Sequence, residues 1–582
     1  MKKYIILLIL ISSSYVVKCQ ETTINNIKYN YVLKEKVFVH YNSSFLVSGE
    51  YLKYKIYCIR DRNKRISRFS KIAYIELVNS DKESIFKHKI RLKDGVGIGE
   101  YFLPATLKSG NYKLVSYTQA MRNEGEDYFY QGDISIVNPF KKIDKNLLVE
   151  KNVIEQKNSL VSSNTNISNS EKPNESFKII TQKDTYNNRS KVTLKLQDTN
   201  RQKINGKYSI SVRKIDGILK PAVLTSKNYT KIYPKKELKK SYVTKFLPEF
   251  EGDLIIGKVL SKDTNKPEKD IRVVLTIPNE EYFLKFAQTD NEGKFMFKFK
   301  SKFSANTATI QVLNKNRKDY KVIIEKKTPK DYNTLSFNDF NLSPKIKNEL
   351  LEISIQNQIE NSYQSIKLDS ISDEQLYQNN LLQDEAETFL LDDYTRFSTV
   401  KETILEIVKN VSTRKRKGQY SFHVAKLNPY DKETLNPLIT VDGILTQNLN
   451  ELAEFDAKNV KSISVIREKF NHGDFKFQGI ISVITFNNSF NSRVNKDFLK
   501  SFTFSTPLKN RKYFSQQYNE SNKYDRIPDY RRQLLWNPEF LLNGENETSF
   551  FTSDVKGLFE ISIEGFQEDG TPVSSKKVIS VE

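Results

Sequence analysis

Cysteine, tryptophan and methionine are almost missing from this chain: its 582 residues hold two, one and three. Two cysteines, Cys19 and Cys58, build neither a disulfide framework nor a cysteine-based metal site. Histidine is also scarce. The four, His40, His88, His423 and His472, lie in separate segments, and none has the spacing of a metal-binding pair. A G-x-S-x-G elbow, a Walker loop and a G-x-G-x-x-G turn are absent as well. Carboxylate pairs such as Asp392-Asp393 read as surface acidic clusters. The chain is therefore expected not to be an enzyme, and no catalytic, cofactor-binding or metal-ligating residue is nominated. No later run of about 18 apolar residues follows the N-terminus, so no transmembrane helix is expected.

What is present is a long, basic, β-leaning chain. Hydrophobic residues at 38% and aromatics at 12% indicate folded modules, and the length suits several domains. The net charge is +23. It admits an anionic outer-membrane or cell-wall surface as a partner; export argues against nucleic acid. The run "RKRKG" (414–418) separates a helical stretch from the alternating "QYSFHVAKL", as an exposed turn would.

"MKKYIILLILISSSYVVKCQE" has the charged start, short apolar run and small residues of a signal peptide over residues 1–19. The protein is expected to be exported, to the periplasm or the outer membrane. Cys19 admits two readings, a lipid anchor or removal with the leader. Lys18 fits the lipoprotein peptidase poorly, and the second reading is favoured. Cys58, in "YLKYKIYCI", reads as a small buried apolar residue.

Regular strand-and-turn punctuation over 30–138 predicts a β-sandwich. The Ser- and Asn-rich stretch within 139–176 predicts a flexible linker. In 177–250, "ITQKDTYNNRSKVTLKLQD" repeats the turn-then-strand pattern of "YNSSFLVSGEYLKYKIY", which predicts a second sandwich. Residues 177–215 offer about three strands and 536–582 about four, each too few to close a sandwich of about seven, so the two are expected to pair. Trp536 should pack near that junction. Residues 251–326 give another all-β unit, in which "TDNEG" is a hairpin turn rather than a calcium loop. In 327–396 the period becomes helical: Ile346, Leu350, Ile353, Ile359 and Tyr363 follow Ser343-Pro344, and a second helix is expected over 372–391. A further connector is expected over 491–535.

Three resemblances sharpen this reading. "SGEYLKYKIY", "LPATLKSGNYKLVSYTQAMRNEG" and "YFYQGDISI" resemble the macroglobulin-type MG2 domain of Bacteroidota envelope proteins. "SIQNQIENSY" recurs in the same family. Gly257, Val259, Pro267, Val273, Thr289, Asp290, Gly293 and Phe295 resemble the carboxypeptidase regulatory-like sandwich, a non-catalytic module. Over 397–490, "TVKETILEIVKNV", "PLITVDGIL", "LNELAEFDAKNVKSISVIREKF" and "FQGIISVITFN" arrive in the order of a TonB-dependent receptor plug. Ile404, Leu405 and Val408 are expected on one helical face, and Gly443 in a tight hairpin.

A 22-stranded barrel needs roughly 220 residues, and only 491–582 follow the plug-like unit. The expected fold class is mainly β: several immunoglobulin-like or macroglobulin-like sandwiches, a small α/β plug-like domain and a short helical connector. The plug-like domain is expected to make a two-layer core of its own. Two functions compete. One is a non-enzymatic envelope scaffold whose plug-like domain is an adaptor for envelope proteins. The alternative supplies the plug to an outer-membrane β-barrel made by another polypeptide. Covalent protease trapping would need a Cys-Gly-Glu-Gln thioester run, which is absent. The reading of the leader predicts that Cys19 leaves with it: growth with a palmitate analogue should leave the mature protein unlabelled, and a tagged mature protein would refute it.

Overall fold

Alternation of side chains across strands, with both faces covered, explains most of this architecture. The computed structural model describes residues 34–142, 177–198, 205–232, 246–278, 283–299, 306–314, 316–325, 330–371, 386–472, 474–488, 490, 496–518, 526–541 and 547–582. The leader, most of the linker and residues 372–385 of the expected second helix lie outside them.

The first sandwich packs the sheet Glu35–Tyr41, Tyr51–Arg60 and Val96–Phe102 against a five-stranded sheet. The latter runs Phe45–Val47, Tyr130–Val137, Gly110–Tyr117, Ile72–Val78, Ser84–Arg91. Val37, Val39, Ile56 and Cys58 point into its core, and Cys58 is fully buried.

The second sandwich is discontinuous. Strand Gly206–Lys214 lies between Gln533–Leu541 and Gly557–Gln567, while Lys191–Asp198 pairs with Glu547–Phe551. Pro538 falls where the Gly206–Lys214 and Gln533–Leu541 register shifts, on the sheet's edge strand, which tolerates a missing N–H.

The third sandwich joins Lys294–Phe299, Asp253–Ser261 and Tyr320–Ile324 to a four-stranded sheet: Phe283–Gln288, Arg272–Ile277, Thr307–Val312 and Leu499–Thr503. The last strand lies within 491–535, which is therefore more than a connector. At the "TDNEG" turn, the Asp290 carboxylate accepts from the N–H groups of Glu292 and Lys294, each at 2.9 Å, and Gly293 has φ 68°. A Cβ at Gly257 would meet the Phe295 ring at 2.3 Å and the Ile323 carbonyl at 2.6 Å, so close strand packing requires glycine there.

Residues 387–485 form a mixed domain. Its five-stranded sheet runs Glu387–Leu390, Val460–His472, Phe475–Thr485, Leu438–Val441, Ile444–Leu445. Phe389 and Leu390, expected at the end of a helix, are thus in an edge strand. Helix Val400–Glu406 begins at a capping box between Thr399 and Glu402. Val400, Thr403 and Ile404 face inward with Val408, whereas Leu405 is 73% exposed. One residue from Ile404 is about 100° around the helix, so the two cannot share a narrow face. Asp442 and Gly443 close the hairpin at φ 50° and 74°.

Helix Lys347–Ser362 lays Leu350 and Ile353 on Phe45, Val47, Val137 and Ile218, bridging the first two sandwiches.

Asp442 makes the hairpin testable. Its buried carboxylate accepts from the backbone N–H and the hydroxyl of Thr485, both at 2.7 Å. Asp442→Ala removes both bonds and strains the positive φ, so it should cost about 2–4 kcal/mol, and Asp442→Asn less. Urea unfolding of the two variants measures the difference.

Candidate interaction surfaces

Two interfaces and one projecting hairpin are where chemistry concentrates. The first interface is the seam between the first two sandwiches. On strand Glu35–Tyr41, Phe38 and His40 point away from the core of their own sandwich, as do Lys55 and Tyr57 on the neighbouring strand. Phe38 meets Tyr229 and Phe566 at ring-centroid distances of 5.5 and 5.8 Å, and His40 meets Trp536 at 5.2 Å. His40 Nδ1 and the Tyr57 hydroxyl both reach Ser209 Oγ, at 2.6 and 2.8 Å. Lys55 Nζ donates to the Tyr208 carbonyl at 2.8 Å.

Imidazole beside a serine hydroxyl invites a catalytic reading, and geometry argues against it. His40 and Ser209 are buried, leaving no approach for a substrate. Burial and the Lys55 charge hold His40 at about 3, far too low for a general base near neutrality. The one buried carboxyl nearby, Glu564, instead accepts from Ser226 N at 2.8 Å and Ser574 Oγ at 2.6 Å. The seam is a packed polar interface. His88 bonds the Tyr54 hydroxyl at 2.7 Å and His423 bonds Ser421 at 3.0 Å, so neither joins His40. Among the described residues no group of three metal-ligating side chains occurs.

Ion pairs lock further joints. Lys330 pairs with Glu76 and stands 3.9 Å over the Tyr117 ring, pinning the segment after the third sandwich to the first. Lys89 pairs with Asp253, and the Tyr74 hydroxyl donates to the Glu249 carboxylate. Arg213 pairs with Glu50 at 2.7 Å.

The second interface seats the mixed domain on the third sandwich. Ile439, Val441, Ile463, Val465, Ile481 and Val483 face the domain's own helices. Leu438, Ile466, Phe475 and Ile480 face the other way, onto Val274, Leu284 and Phe286. Phe286 stacks on Phe475 at 4.8 Å. Gln311 Nε2 donates to the Leu445 carbonyl at 2.6 Å, and Gln447 Nε2 donates to the Val312 carbonyl at 2.8 Å. The expected two-layer unit is thus a three-layer one, its sheet covered on the far side by the third sandwich. The projecting hairpin, Val411–Arg416 and Gln419–Val424, carries the exposed run 414–418. The turn sits at Lys417-Gly418.

No protein-family model matches the chain, and no curated protein matches it. Solved structures do. A Salmonella alpha-2-macroglobulin is 9% identical with a TM-score of 0.23, over 95% of this chain and 40% of its own. The native Escherichia coli alpha-2-macroglobulin is 9% identical at 0.24, over 94% and 40%. An Escherichia coli adhesin matches 31% of this chain and 46% of its own at 10% identity and 0.15. The chain spans about two fifths of the length of these macroglobulins. At such scores the mainly β class rests on the strand pairing itself.

Burial raises Glu564 from the usual 4.5 to about 7. A folded-state value above the unfolded one favours the protonated, folded form below pH 4.5, and that advantage is lost as pH rises toward 7. Lys55 runs the other way: burial lowers it from 10.5 to about 7, so its cost grows as pH falls from 10.5 toward 7. Glu564→Gln should therefore match the parent at low pH and exceed it above pH 7, by on the order of 3 kcal/mol. Thermal melts across pH 4–8 check this.

Proposed function

We infer that the protein is a non-enzymatic scaffold of the bacterial cell envelope, exported to the periplasm or the outer membrane. Its sandwiches resemble MG2 and carboxypeptidase regulatory-like modules, and its plug-like domain serves as an adaptor for other envelope proteins. One observation carries this reading. A receptor plug is enclosed by its barrel wall, whereas here the sheet of the plug-like domain has both faces covered within the chain, one by its helices and one by Val274, Leu284 and Phe286. A barrel has no apolar sheet face left to cover. The seam and the ion-paired joints support the scaffold part, because they hold the sandwiches at fixed angles instead of as beads on tethers. No group of side chains in the seam is reachable by a substrate, which favours binding over catalysis.

Residues 386–490 alone would expose Leu438, Leu445, Ile466, Phe475, Phe477 and Ile480. That fragment should aggregate and bind an apolar dye, whereas 251–504, with the third sandwich, should be monomeric and melt cooperatively. A soluble, cooperatively melting 386–490 would contradict the covering argument. Co-purification of the full chain with a large β-barrel would move the reading to the split transporter.

A further inference from the structure

The hairpin Val411–Arg416 and Gln419–Val424 is a two-stranded sheet of its own, beside the five-stranded one. Its second strand is anchored. Phe422 and Val424 are buried, Tyr420 N–H donates to the Asn450 side chain at 2.8 Å, and Asn450 Nδ2 donates to the Gly418 carbonyl at 3.0 Å. Among the described residues no strand pairs with the outer side of its first strand, so alternate N–H and C=O groups along 411–416 lack ladder partners there. Arg414, Lys415, Arg416 and Lys417 are all exposed, and none is ion-paired among the described residues. Residues 411–424 include no acid.

Three occupants could meet such an edge, and the chemistry separates them. A second copy would set cation against cation, which is how edge strands usually avoid self-association. An anionic membrane would meet the charges but leave the backbone groups unused, and "RKRKG" offers no apolar side chain to insert. An extended acidic segment satisfies both features: its backbone completes the ladder, and carboxylates on one of its faces meet Arg414 and Arg416, which share a face of the hairpin. We propose that the edge Val411–Arg416 takes an acidic extended segment of a partner protein as the third strand of this sheet. This deepens the adaptor reading by naming the partner's chemistry.

The test uses the full chain and fluorescent acetyl-Val-Glu-Val-Glu-Val-Glu-amide, read by anisotropy. The acidic peptide should bind, and its Lys-for-Glu counterpart should not. Replacing Arg414, Lys415, Arg416 and Lys417 by Gln, with the melting curve confirming an intact fold, should weaken binding about tenfold or more. N-methylating alternate peptide amides should abolish binding in one register and spare it in the other, because only one set of N–H groups faces the edge. No binding, or equal binding by both methylated peptides, overturns the proposal. So does preferential binding to phosphatidylglycerol vesicles, which would mean charge alone. If the peptide binds as expected while the chain co-purifies with a barrel, the adaptor reading fails and the strand site stands.

Discussion

A β-sheet presents two faces, and each must be covered by something or be polar. That constraint organises the molecule. The three-stranded sheet of the first sandwich is covered outside by Tyr229 and Phe566, the four-stranded sheet of the third by Phe475 and Ile480, and the sheet of the mixed domain by Phe286. Each covering group comes from another module, so the modules hold one another in register. Helix Lys347–Ser362 and the segment pinned by Lys330 and Glu76 tie the ends together.

The two interfaces solve the problem with different chemistry. The sheet of the mixed domain meets the third sandwich through aromatic and aliphatic side chains flanked by two glutamines, which is insensitive to pH. The seam between the first two sandwiches buries His40, Lys55 and Glu564 among hydroxyls and carbonyls. Buried ionisable groups add little net stability, since desolvation offsets their bonds, yet they fix one geometry and penalise others. The seam thus sets the angle of the sandwiches while the aromatic contacts supply most of the adhesion.

Much of this was legible in the sequence. Alternating stretches such as "KVFVHY" and "GKYSISVRK" mark strands, strand counting points to the pairing of 177–215 with 536–582, and the sheet joins them. The Asp442-Gly443 hairpin and the Asp290 turn followed from residue type. The strand Leu499–Thr503 was not legible, because its apolar residues Leu499 and Phe502 are three apart and give no alternation over five residues. Leu405 departs from the expected face because apolar character alone does not show on which side of a helix adjacent residues fall. The covering of the mixed domain's sheet did leave a signal. "GIISVITF" and "PLITV" run apolar almost without interruption, as strands buried on both faces do, where a half-exposed strand would alternate.

This sheet is sealed by a neighbour in the same chain. Amide hydrogen exchange on the full chain tests it most directly, comparing the parent with Phe286→Asp. That substitution lies in the third sandwich, yet it should cost Phe475–Thr485 protection as a charge is forced against Phe475. Unchanged protection along Phe475–Thr485 would mean that the third sandwich does not seal the sheet.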